Sequence, residues 1–212
     1  VCLFISVNYL IFENTIFVVD QIGRSGFTIP YIDGGVSISR TARTYPTYLI
    51  FKPGMIITAF LLIKYWIANN NMARAINNQN EKNYRFLFFG VSSAIFLILH
   101  SIFLGVSFEY DLYKFFRRFI LLAFIIFEII AQALLVIALF KMKDKISDYI
   151  NKKILILKIL LVSLLTVVAL ASLPILTSAG NTSFKHGLEW NYFIGVVSFY
   201  LLTFFFWKKR QA

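Results

Sequence analysis

The chain has 212 residues, 59% of them hydrophobic and only 15% charged, with a formal net charge of +11 and a mean hydropathy of +0.75. A soluble domain carries about 25% charged residues, so the composition excludes an ordinary water-soluble fold. It also argues against a nucleic-acid partner, because Lys and Arg sit at the ends of apolar runs instead of forming one stripe. The single cysteine, Cys2, excludes an internal disulfide or a thiolate metal centre.

A hydrocarbon crossing needs about 20 mostly apolar residues, and runs near that length recur along the chain. Residues 1–19 are the first predicted span. A signal peptide fits them poorly, since they lack a basic flank and a small-residue cleavage site, and Glu13 and Asn14 interrupt the run. Residues 20–47 form the longest polar connection. Gly23, Gly26, Gly34 and Gly35 with Pro30 and Pro46 mark it as a loop or a short capping element outside the hydrocarbon. Further spans are expected near 48–67, 86–106, 119–140, 154–175 and 190–207. The connections between them are an Asn-rich solvated loop at 68–85, a short one at 107–118, a strongly basic one at 141–153 and a polar one at 176–189. The expected architecture is an all-α, polytopic transmembrane helix bundle of about six spans, forming one domain over 1–212.

Lys and Arg at the span ends set orientation. One side collects Lys64, Arg74, Lys82 and Arg85, then Lys141, Lys143, Lys145, Lys152 and Lys153, then Lys208, Lys209 and Arg210. The other holds fewer: Arg24, Arg40, Arg43, Lys52, Lys114, Arg117, Arg118 and Lys185. The bias places both termini in the cytoplasm and the 20–47 loop on the far side. It leaves open which membrane is involved.

Polar groups inside spans are costly and usually face the bundle interior. Glu128 lies in the middle of the fourth span, with Gln132 one turn later on the same face. His100 lies in the third span, and His186 and Glu189 open the last as HGLE, followed by Trp190. Gathered in one cavity, His100, Glu128, His186 and Glu189 would suit a lipid headgroup or a proton relay. Taken singly, they read as interface residues, a first-turn acid favoured by the helix dipole, and interhelical packing through hydrogen bonds. No HxxxH or HExxH spacing supports a metal site, and no cofactor is expected. No nucleophile elbow, P-loop or dinucleotide fingerprint is present. Ser92, Ser93, Ser101 and Ser163 fall in spans, where serine bonds back to its own helix or across to another. Lys158, about one turn into its span, is expected to snorkel to the basic side. Lys141, Lys143, Lys145, Lys152 and Lys153 anchor the topology and are candidates for binding anionic lipid.

Two patches resemble a known family. One is PYIDGGVSISRTARTYPTYLIFKPGMIITAFLLIKYW at 30–66, with Pro46 and an aromatic before Phe51 and a span ending in Tyr65-Trp66. The other is HGLEWNYFIGVVSFYLLTFFFWK at 186–208, opening on Glu189-Trp190. Together they are similar to the first loop, second span and last span of the Frag/DRAM/Sfk superfamily, which includes factors that remodel GPI-anchor lipids. The chain departs from the remodelling members by having Gly54-Met55-Ile56-Ile57 in place of their His-Ser-Ala-Pro-Arg run. The resemblance implies six helices, cytoplasmic termini and a role in lipid handling or trafficking. The function expected from the whole reading is non-catalytic binding or organisation of membrane lipids, with membrane-protein partners. The alternatives are an accessory transmembrane subunit of a larger complex, or a lipid-remodelling enzyme using His186 or His100 as base.

Overall fold

The computed structural model describes residues 29–42, 47–77, 83–105, 110–177 and 180–208. In chain order these form two single-turn helices, α1 (Pro30–Asp33) and α2 (Ile38–Thr41), and five long ones: α3 (Tyr48–Asn77), α4 (Arg85–Phe103), α5 (Asp111–Lys141), α6 (Lys152–Thr177) and α7 (Thr182–Phe206). The protein is an all-α bundle. Among the described residues the extended contact is an isolated bridge between Ile150 and Trp207. The predicted span at 1–19 lies outside the described residues.

All five long helices are long and apolar enough to cross a membrane. This is an integral, multi-pass membrane protein. Its helices persist because a backbone amide in hydrocarbon has no water to bond and must be satisfied within its own segment. α5 runs for 31 residues without a Gly or Pro. α6 carries Pro174 in its last turn and stops at Thr177, as expected where the ring removes a ladder hydrogen bond.

Several helices outrun the apolar stretches that announce them. α3 continues ten residues past the predicted span end at 67, α5 starts at Asp111, and α7 starts at Thr182. Most of the solvated loop expected at 68–85 is therefore helix. Asn70 and Asn77 bond neighbouring chain there. Asn70 Oδ1 accepts the Tyr84 amide at 2.9 Å, its Nδ2 donates to Asn83 Oδ1 at 2.9 Å, and Asn77 Oδ1 accepts from Lys145 Nζ at 3.0 Å.

α4 packs between α3 and α5, α6 packs against α5 and α7, and α1 and α2 rest on α7. One core cluster joins Trp66, Phe86, Leu135, Leu139, Ile150, Phe199 and Phe206. Small residues let the helices approach closely. A Cβ on Gly90 of α4 would overlap the Trp66 indole, and one on Gly195 of α7 would press on Leu165 of α6. Large apolar side chains such as Phe60, Phe88, Leu164 and Phe204 point outward. In water that exposure would be a liability, but in lipid it is the solvated surface.

Candidate functional site

Polar chemistry collects at three levels along α7. In the middle lies Glu128, only 1% exposed. Its carboxyl meets three helices. Ser93 Oγ on α4 lies 2.7 Å from Oε2, Gln132 Nε2 on α5 donates to Oε1 at 2.9 Å, and the Tyr200 hydroxyl on α7 donates to the same oxygen. Helix association in lipid has no hydrophobic drive and rests on packing and such hydrogen bonds, worth roughly 0.6 kcal/mol each. The larger effect is the asymmetry: a buried donor left without its partner costs about 1–3 kcal/mol.

Lys158 of α6 shares this interior and is also 1% exposed. The structure corrects the snorkelling expectation. Lys158 Nζ turns inward and donates to Thr203 Oγ1 at 2.7 Å, with the Phe199 ring centroid 4.1 Å away and that of Phe206 5.5 Å away. Hydropathy places Lys158 one turn inside the span, but those ring faces and a hydroxyl give its ammonium favourable contacts within the bundle. Thr203 gives its own hydrogen to Phe199 O at 3.2 Å and holds Tyr65 of α3 at 3.3 Å. Tyr65 in turn packs edge-on against Tyr200, 5.1 Å between centroids. Thus α7 presents Tyr200 to the acid and, three residues on, Thr203 to the lysine. Nearby, the buried Trp66 Nε1 and Tyr192 hydroxyl have no hydrogen-bond partner among the described residues.

The start of α7 grips the capping segment. Segment 30–42 is prefolded by turn chemistry. Pro30 opens α1, and Asp33 accepts the Ile29 amide at 2.9 Å and the Gly35 amide at 2.7 Å. Gly34 adopts φ +63°, and a Cβ there would collide with the Ser183 carbonyl, so both its conformation and its proximity require glycine. α7 then binds cap backbone with side chains. Trp190 Nε1 donates to Val36 O at 2.8 Å, Asn191 Nδ2 to Tyr31 O at 2.8 Å, and His186 Nδ1 lies 3.1 Å from Gly34 O.

The far end of α7 closes on the basic connection. Residues 142–149 form successive turns. Asn151 N donates to Phe206 O at 2.9 Å and Lys208 N to Tyr149 O at 2.9 Å. Lys141, Lys145, Lys152 and Lys153 are exposed on this turn, and Lys143 lies 4.5 Å from the Phe140 ring centroid.

The predicted site residues therefore divide. Glu128 and Gln132 do meet, as their four-residue spacing implies. His186 and Trp190 lie together where the cap docks, and Glu189, on the same turn of α7, is partly buried. His100 lies two turns beyond Ser93 on α4, about 10 Å along the axis. Glu128 and His186 are not brought into one cavity: Glu128 meets α7 at Tyr200, about 20 Å along the axis from His186, whose Nδ1 faces the cap. Sequence reasoning missed Tyr200, Thr203, Tyr65 and Asn191. Tyr200 and Thr203 carried a usable signal, since they recur at helical spacing with Tyr192 inside an otherwise apolar run. Among the described residues no group of three or more His, Cys, Asp or Glu is placed to hold a metal ion. No protein-family model, curated protein or solved structure matches the chain.

Proposed function

We propose that this protein is a non-catalytic organiser of membrane lipid, and that its basic turn binds anionic headgroups on the cytoplasmic face. One observation carries the reading. The turn at 142–149 is tied to the end of α7 through Asn151 and Lys208, so Lys141, Lys145, Lys152 and Lys153 sit on a fixed scaffold. Phe140, Tyr149 and Trp207 are exposed beside them. Aromatic rings at headgroup depth and lysines just beyond it are the pairing that an anionic leaflet favours, each lysine near the surface contributing about 1 kcal/mol. The excess of Lys and Arg on this side supports the same orientation, with both termini cytoplasmic. The resemblance of the 30–66 and 186–208 patches to lipid-handling six-span proteins adds support, and these two patches pack together through Trp190, Asn191 and His186.

Native mass spectrometry of protein released from nanodiscs holding equal phosphatidylglycerol and phosphatidylcholine tests this. Phosphatidylglycerol should be retained preferentially. Each Lys→Gln change at 141, 145, 152 or 153 should lower that preference by up to about fivefold. Equal retention of both lipids by the unaltered protein removes the reading.

A further inference from the structure

Ser93 Oγ has two oxygens within hydrogen-bonding reach, the Gly90 carbonyl at 2.9 Å and Glu128 Oε2 at 2.7 Å. A serine hydroxyl owns one hydrogen. Beside an ionised carboxylate both neighbours are pure acceptors, and one of the two close contacts would set lone pair against lone pair. Beside a protonated carboxyl the count closes. Oε2–H is given to Ser93 Oγ, and Ser93 gives its hydrogen to Gly90. Oε1 is then a carbonyl oxygen with two lone pairs, and it receives two hydrogens, from Gln132 and Tyr200. Every hydrogen of the network then has an acceptor, and no two lone pairs are set against each other.

The surroundings agree. Glu128 lies mid-span, where a charge without a partner is disfavoured. Lys158, the basic side chain of this interior, is turned to Thr203 and the ring faces. The groups able to ionise here are Tyr65 from α3, Lys158 from α6, and Tyr192 and Tyr200 from α7. α4 contributes Ser93 and, two turns on, His100.

We propose that Glu128 is a proton-holding site, a neutral carboxylic acid whose hydrogen is bound by Ser93 and whose presence locks α4, α5 and α7 together. An ionised carboxylate would draw the Ser93 hydrogen away from Gly90 O, at the residue where α4 meets Trp66 of α3.

The test is an infrared difference spectrum of Glu128→Gln against wild type at neutral pH in nanodiscs. The wild type should show one additional C=O stretch of a protonated carboxyl. Loss of ionised-carboxylate bands in its place overturns the proposal. Ser93→Ala gives a second reading should the first variant not fold. It should shift the protonated-carboxyl band, and a change confined to carboxylate bands counts against the site. Thermal melting separates a proton site from a buried counter-charge. Gln can donate to Ser93 and accept from Tyr200, so Glu128→Gln should melt within about 2 °C of wild type. A drop as large as that of Glu128→Leu sinks the idea.

Discussion

The interior around Glu128 and the cap dock at the start of α7 both join distant segments with hydrogen bonds, but they are built from different halves of the chain's chemistry. In the interior, side chain meets side chain: Ser93, Gln132 and Tyr200 on Glu128, Lys158 and Tyr65 on Thr203. At the dock, side chains of α7 meet backbone carbonyls of Tyr31, Gly34 and Val36. The first arrangement depends on residue identity on both sides. The second depends on identity mainly on α7, because a carbonyl is the same for every residue. Within the cap, then, a substitution matters chiefly where it changes backbone shape.

Three substitutions sharpen that contrast, in decreasing order of effect. Gly90→Val puts a branched side chain into the Trp66 indole, and Trp66 is fully buried with nowhere to move. A loss of about 3 kcal/mol is expected, at the upper end of overpacking costs, read as a fall in the midpoint of thermal or denaturant unfolding in detergent. A midpoint equal to wild type would show that α3 and α4 do not meet there. Gly34→Ala should act locally. The residue must hold a left-handed φ, costing about 1–2 kcal/mol by itself, and the Ser183 backbone must move off the methyl. Amide hydrogen exchange should accelerate across 29–42 while α4 and α5 keep their protection. Uniform acceleration through the bundle would mean that the cap is part of the core. Trp190→Phe is the mildest, removing the one hydrogen bond it gives to buried Val36 O, about 1 kcal/mol. Exchange should rise at Val36 and its neighbours, and an unchanged profile there would show the bond to be dispensable.

Much of the architecture is legible in the sequence because hydrocarbon imposes a simple rule on composition and length. Glu128 and Gln132 are legible for the same kind of reason, since four residues apart on a helix is a local fact. That Ser93 and Tyr200 join this pair is not, because the meeting depends on how α4, α5 and α7 are rotated about their axes, and short-range spacing does not encode that. Lys158 misleads by its position near a span end, where snorkelling is the usual outcome. The loop reading at 68–85 fails on Asn70 and Asn77. Asn opposes helix mainly when its side chain has only its own backbone or water to bond, and here each bonds a group on another segment. The cap is legible as turns through Gly34 and Pro30, but its attachment to α7 is a long-range event that the turn residues do not announce.

The three tryptophans lie at three depths of one scaffold. Trp66 is wholly enclosed, Trp190 donates to the cap, and Trp207 is 38% exposed beside the basic turn. Their emission spectra should therefore differ, with Trp66 the bluest and Trp207 the reddest. Proteins retaining one tryptophan each would report core, cap and lysine turn separately, with no added dye.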